Sequence, residues 1–286
     1  MRLADPEFGR HGVELWIKRD DLLHPVVSGN KWRKLKYILD DALYLGADTL
    51  VGMGGAYSNH LHALAYAGRA LGLNTQARVR GERPPGSNPT LVDLENWGMA
   101  LSFVTREDYR QLRLYKSHDS LPGLGLGQYW LPEGGAAALA LRGVAEIVDE
   151  MTIDYDVLVV ACGTGTTLAG LLAAMPANRR LLGICALMGG GFLYDDVRQL
   201  LPTQVGENRD WQILLDYHHG GFAKTSSALL EFIEYMQARF DLPLDPVYTG
   251  KALYAVYDLL RQGYFSRGQR IVFIHSGGLQ GARKRL

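Results

Sequence analysis

Cysteine is scarce in this chain: Cys162 and Cys185 are the two among 286 residues, each inside an apolar stretch. That excludes a disulfide framework and a zinc ribbon, and it suits a reducing cytoplasm. An excess of one charge is equally absent. Thirty basic and thirty acidic residues cancel to a formal net charge of zero, so no global field draws the protein to nucleic acid or to an anionic membrane. No apolar run reaches the length of a membrane span. Met1 to Arg10 carries charges without an apolar core, so it does not read as a signal peptide. His60 and His62 alternate and would face different directions on a helix, so no metal site is expected there or elsewhere. Internal repeats and low-complexity segments are also missing. The expectation is a cytoplasmic protein of one large or two modest domains.

What the chain has in excess is glycine, 34 residues of it, gathered mainly where strands give way to helices. Short apolar runs predict strands over 13–18, 49–53, 74–80, 100–104, 157–160, 181–186 and 271–275. Helical patterns predict helices over 31–45, 59–71, 89–97, 136–151, 167–174, 228–239 and 250–262. Such alternation means βαβ units and a mainly parallel sheet, hence an α/β fold. The stretch 80–88 is polar, rich in Pro and Gly, and reads as a surface loop. The irregular, aromatic stretch 109–130 is a candidate cover for a cleft, and Met188-Gly189-Gly190-Gly191 reads as a loop without assigned role.

Three strands end in glycine-rich turns that open helices, and open α/β sheets bind ligands at such ends. They are Gly52-Met53-Gly54-Gly55-Ala56-Tyr57-Ser58-Asn59-His60, Cys162-Gly163-Thr164-Gly165-Thr166-Thr167 and His275-Ser276-Gly277-Gly278-Leu279-Gln280-Gly281. The middle one is the best phosphate cradle, with backbone free to close on an anion and hydroxyls at Thr164, Thr166 and Thr167. A dinucleotide fold would place a third glycine where this chain has Leu168, and an acidic residue at the end of the next strand, where 182–188 has none. No Gly-Lys-Ser/Thr triplet occurs either. The loop therefore suits a small monophosphate better than a nucleotide.

Lys31 follows a tight Ser28-Gly29-Asn30 turn at the apparent start of a helix. Unpaired N–H groups and the helix dipole oppose a positive charge there. A destabilised ammonium is a more available amine, able to form a Schiff base with a carbonyl cofactor. Alone, the same residues also read as the first turn of a basic, solvated helix carrying Arg33, Lys34 and Lys36. Asp20-Asp21 reads as ordering the turn before Lys31. His218-His219 offers either a proton shuttle near neutrality or an ordinary solvated loop pair.

Taken in order, Lys18-Arg19-Asp20-Asp21, Ser28-Gly29-Asn30-Lys31-Trp32-Arg33-Lys34-Leu35, the Gly54–His60 loop, Leu131-Pro132-Glu133-Gly134-Gly135, the Gly163–Thr167 loop, Asp245-Pro246-Val247-Tyr248-Thr249-Gly250-Lys251-Ala252 and His275-Ser276-Gly277-Gly278 resemble one family. It is the aminocyclopropane-carboxylate deaminase / D-cysteine desulfhydrase family, pyridoxal-phosphate enzymes of the tryptophan-synthase-β-like fold (fold type II). The resemblance spans nearly the whole chain. It implies two open α/β domains with a cleft between them, a large one of 1–41 with 138–286 and a small one of 42–137. It implies pyridoxal 5'-phosphate as cofactor, a small amino acid as substrate and a homodimer. Residue by residue, it implies Lys31 as the Schiff-base lysine and Asn59 as partner of the cofactor's phenolic oxygen. Gly163, Thr164, Gly165, Thr166 and Thr167 would hold the phosphate, and Thr249 would meet the pyridine nitrogen. Ser58, Asn59, His60, Tyr248 and Phe222 would bind substrate, with Lys31, Ser58 and Tyr248 catalytic.

Two positions depart from the family. Ring-opening deaminases look to have glutamate where Thr249 stands, and a hydroxyl supports only a near-neutral pyridine. That points toward β-elimination of the D-cysteine desulfhydrase type, giving a keto acid and ammonia, and away from opening of a cyclopropane. Phe222 stands where a tyrosine is usual, which removes a phenol, and Trp32 is bulky beside the lysine. Aminocyclopropane deamination or racemisation on the same scaffold is the alternative activity. A cofactor- or ligand-holding protein without turnover is the alternative of another class, and a nucleotide-dependent oxidoreductase is already weakened by the missing acidic residue.

Overall fold

A computed structural model describes residues 1–201, 205 and 209–283. Runs such as Val157–Cys162 and Thr49–Gly54 are apolar without alternation, and both are buried at every position. Strands covered on two faces need this composition, and parallel sheets are built from them. The described elements are α1 (Pro6–His11), β1 (Glu14–Arg19), α2 (Asn30–Tyr44), β2 (Thr49–Gly54), α3 (Asn59–Leu71), β3 (Asn74–Arg80), α4 (Pro89–Asn96), β4 (Ala100–Val104), α5 (Arg106–Leu112) and β5 (Gln128–Leu131). After them come α6 (Ala138–Asp149), β6 (Val157–Cys162), α7 (Thr166–Ala174), β7 (Arg180–Cys185), α8 (Leu193–Leu200), β8 (Asp210–Leu214), α9 (Ser227–Phe240), α10 (Thr249–Arg261) and β9 (Arg270–His275).

The strands pair into a five-stranded sheet, ordered β1-β9-β6-β7-β8, and a four-stranded sheet, ordered β4-β3-β2-β5. Every pairing within them is parallel. The chain therefore has the expected α/β architecture, with two open parallel sheets. Two apolar clusters flank the larger sheet, and a third packs α2 and α3 on the smaller one. Five described elements differ from the expected pattern. The stretch 109–130 contains the end of α5 and most of β5, whose Tyr129 and Trp130 fill the small sheet's core. Helices α1 and α8 and strand β8 were not anticipated; α1 and α8 are too short to show a helical period, and β8 is a half-buried edge.

Helix α2 sets the site. Its N-cap is Gly29, at φ 59 and ψ −135, where a Cβ would lie 2.0 Å from the Ser276 carbonyl oxygen. Only glycine fits there. The turn accepts further ties from Asp20, whose carbonyl takes the Gly29 N–H at 2.9 Å, and from Ser276, whose carbonyl takes that of Asn30 at 3.1 Å. A buried clamp then fixes the first helical turn. Arg33 donates to both oxygens of Asp20, at 3.0 and 3.2 Å, and to both oxygens of Glu150, at 2.6 Å each. Asp20 thus orders the approach to Lys31, through its carbonyl as well as its carboxylate.

Candidate active site

The carboxyl ends of β2, β3, β6 and β9 open onto one cavity of about 790 Å³ between the two sheets. Lys31 reaches it from the second position of α2. Its Nζ donates to Asn30 Oδ1 at 2.9 Å, and Asn30 Nδ2 donates to Thr167 Oγ1 at 3.1 Å. Two sequence segments more than a hundred residues apart are thereby tied together, the lysine turn and the Gly-Thr loop. Burial lowers the Lys31 amine to about 8, with the Asp245 carboxylate pulling the other way. An amine so placed loses its proton far more readily than a solvated lysine.

The loop from Gly163 to Thr167 is shaped for an anion. Gly165, at φ 72, caps α7, and no side chain takes up the helix's first N–H groups. Thr164 Oγ1 and Thr166 Oγ1 lie 3.1 Å apart. Gly163, Thr164, Gly165 and Thr167 line the cavity, whereas Thr166 is fully buried behind it and supports Thr164. Facing the loop is a residue that sequence reasoning left in a basic helix, Lys34. It is buried, lines the cavity, and has one long contact, 3.4 Å to the Gly134 carbonyl. Burial and the neighbouring Lys31 push its amine well down. A buried amine without a counter-ion, beside free helix N–H groups, suits a phosphate dianion. Its signal was available: Lys31 and Lys34 are three apart, on one helical face.

The second glycine loop supplies the opposite wall. Ser58 caps α3, accepting the Leu61 N–H at 3.2 Å. Asn59 follows, and its side-chain oxygen takes a hydrogen bond from Gln280 Nε2, which leaves the Asn59 amide N–H₂ turned toward Gly278 and the cavity. Gln280 lies in the third glycine loop but was not singled out, because its contact with Asn59 is made across the fold. His60 lines the cavity with both ring nitrogens unpartnered, and burial with the two lysines lowers it to about 3. It is a neutral imidazole.

Tyr248 lies against Gly163, where a Cβ would be 2.9 Å from its ring. Burial first, then Asp245 and Glu133, push its phenol well up, so it keeps its proton. Phe222 lines the mouth, half exposed, with its ring 6.1 Å from that of Tyr248. Lys251 holds the Phe222 loop, donating to the carbonyls of His218 and Gly221 at 2.8 Å each. Thr249 is fully buried next to Tyr248, and its hydroxyl donates to Asp245 Oδ1 at 2.7 Å while accepting the Asp245 N–H at 3.0 Å. His218 and His219 do not line the cavity; His219 Nδ1 pairs with Ser226 Oγ at 2.9 Å. Among the described residues no group of His, Cys, Asp and Glu could hold a metal ion, and no helix is long and apolar enough to cross a membrane.

A buried amine, an uncapped helix start with a second buried amine beside it, and an orphaned imidazole fit a phosphorylated carbonyl cofactor. Comparison with known proteins agrees. A Pyrococcus horikoshii protein provisionally named a 1-aminocyclopropane-1-carboxylate deaminase is 34% identical over 94% of this chain and 86% of its own length. The Arabidopsis thaliana protein named bifunctional D-cysteine desulfhydrase/1-aminocyclopropane-1-carboxylate deaminase, mitochondrial, is 32% identical over 95% of this chain and 74% of its own. A crystal structure described as an ACC deaminase homologue superposes with a TM-score of 0.80 at 30% identity, covering 99% of this chain and 89% of that one. Residues 3–277 match the family described as pyridoxal-phosphate dependent enzyme. The chain belongs to that family, and its cofactor is pyridoxal phosphate.

Proposed function

We propose that the protein is a lyase acting on a small amino acid, of the D-cysteine desulfhydrase type. In this reading Lys31 carries the cofactor, Gly163 to Thr167 and Lys34 hold its phosphate, and Asn59 meets its ring oxygen. Bound there, pyridoxal phosphate supplies an electron sink for the carbon next to the substrate amine. Ser58 and the N–H groups that open α3 bind the substrate carboxylate. Lys31, lowered to about 8, takes the α-proton, and Tyr248 holds a proton beside the departing group. One water is consumed overall, and D-cysteine gives pyruvate, ammonia and hydrogen sulfide.

The observation that carries elimination over ring opening is the neutrality around Thr249. The nearest carboxylate, Asp245, accepts from the N–H groups of Val247, Tyr248 and Thr249 and from the Thr249 hydroxyl. A carboxylate so engaged has no free lone pair to hold a pyridinium proton, so the electron sink is moderate and a good leaving group is needed. The test is pyruvate release from D-cysteine, L-cysteine and β-chloroalanine, with sulfide from the two cysteines and chloride from chloroalanine, against keto-acid release from aminocyclopropane carboxylate. Turnover of the β-substituted amino acids is expected to lead. Ready opening of the ring with none of them consumed would overturn the reading.

The same reading takes residues 1–41 with 138–286 as the body and 42–137 as a unit that closes over substrate. It also takes the chain as a cytoplasmic homodimer, supported by two free, buried cysteines and by the exposed Leu43, Tyr44 and Leu45 at the end of α2. Light scattering of the purified protein tests the dimer.

A further inference from the structure

One wall of the cavity belongs to none of the motifs. It is formed by the end of β3 and by α5, and it carries Arg80, Arg106, Arg110 and Arg113 against two lining carboxylates, Glu82 and Glu133. The pairing within this group is unequal. Glu133 is fully engaged, one oxygen accepting the Tyr109 hydroxyl at 2.7 Å and the other Arg113 Nε at 3.0 Å. Arg110 pairs with Glu107 at 2.7 Å. Arg80 and Arg106 have no carboxylate partner among the described residues. Arg80 instead holds its guanidinium over the Tyr109 ring, 5.6 Å from the centroid, a contact that favours one placement of an otherwise exposed side chain.

The position of Arg80 relative to the rest of the site is set by register. Val79 is paired with Gly54, so Arg80 leaves the sheet beside Gly55, at the start of the Ser58 loop. Neighbouring strands lie about 5 Å apart, which roots the Arg80 side chain beside the start of the Ser58 loop. Arg80 also faces Tyr248 across the cavity, where its charge opposes the effect of burial on the phenol. A guanidinium held against a ring and without a carboxylate, in a cavity of this size, is a recognition element for an oxyanion.

We propose that Arg80, backed by Arg106, forms a subsite for an anionic group at the far end of the substrate side chain. The preferred substrates are then β-substituted amino acids whose substituent ends in a carboxylate or phosphate. This deepens the lyase reading and rests on it for the fate of the substrate, though not for binding of the anion.

Two measurements separate the claims. The first compares kcat/KM of the holoenzyme for O-phosphoserine and S-carboxymethylcysteine with that for O-acetylserine and S-methylcysteine, both enantiomers of each. The anionic-to-neutral ratio should fall about tenfold in Arg80→Gln and recover in part in Arg80→Lys, the size expected for one charge-assisted contact worth about 1.4 kcal/mol. The second is calorimetric binding of glutarate and butyrate to the holoenzyme, which needs no turnover. Glutarate should bind more tightly, and Arg80→Gln and Arg106→Gln should each narrow the difference. Equal binding of the two acids, or a ratio unmoved by Arg80→Gln, overturns the subsite even if β-elimination is confirmed. Glutarate selectivity that depends on Arg80, in a protein that eliminates from no amino acid, supports the subsite and overturns the lyase reading alone.

Discussion

The two walls of the cavity hold their positive charge in opposite ways. On the cofactor side, Lys31 and Lys34 are stripped of water and pushed toward the neutral amine. On the β3–α5 side, Arg80, Arg106 and Arg110 are exposed guanidiniums. A buried lysine is poised for a covalent bond or for a phosphate that restores its proton. An exposed arginine is poised for a counter-ion that comes and goes. The same cavity thus has one wall for a resident group and one for a transient one, and the difference can be broken wall by wall.

The largest effect is expected at Lys31. Lys31→Ala should lower turnover by about a thousandfold, in the range for loss of a positioned acid–base group, and borohydride should no longer fix the cofactor to the chain. Lys34→Met should keep that covalent fixation and instead weaken retention of the cofactor on dialysis. Peptide mapping of the reduced protein checks both. A label on a lysine other than Lys31 would overturn the role given to Lys31.

Next comes the clamp under the cofactor wall. Arg33 is buried, and Asp20 more so; Arg33→Met leaves that carboxylate without its main partner, at a cost of about 3–5 kcal/mol in a denaturant melt. Glu150, at the exposed end of the clamp, is held at about 2 by its hydrogen bonds to Arg33, against an ordinary 4.5. Its contribution is complete above the ordinary value and is lost as pH falls toward 2. The wild-type midpoint should therefore drop over that acid window, and the Arg33→Met midpoint should drop less.

A titration sharpens the comparison further. Lys31 is neutral above about 8 in the folded chain and above 10.5 in the unfolded one. Capture of pyridoxal phosphate by the apoprotein needs the neutral amine, so its rate should rise about tenfold per pH unit below 8 and level off above it. Raising the pH from 8 to 10.5 should also stabilise the apo fold, since the unfolded chain binds the extra proton in that window. A capture rate that is flat from pH 6 to 8 would mean that Lys31 is not the group being titrated.

The two walls also differ in how they could be foreseen. The parallel α/β fold was legible because buried strands are apolar without alternation and helices keep their period, as β6 and α10 do. The lysine turn and the Gly-Thr loop were legible because each is a continuous stretch whose local geometry needs those residue types. Arg80 and α5 were not. Their role comes from β3 pairing beside β2, which places Arg80 against a loop more than twenty residues earlier, and nothing local in Arg80-Gly81-Glu82 signals it. Gln280 was missed for the same reason. Thr249 shows the converse: its motif identified the position, but only the structure shows its hydroxyl spent on Asp245.

The smallest effect belongs to Phe222, where the walls meet at the mouth. Its ring is 45% exposed and stands 6.1 Å from Tyr248, near enough to pack but not to exchange a proton with it. The loop that carries it is held from behind by Lys251 through the carbonyls of His218 and Gly221, so a new hydroxyl at the ring's tip would sit in solvent at the rim. Phe222→Tyr should therefore change kcat/KM for any β-substituted amino acid by roughly twofold at most, the scale of an exposed substitution. Steady-state kinetics on the substrate panel decides it. A gain well beyond that would mean that the loop swings inward when substrate binds and that position 222 reaches the reacting atoms.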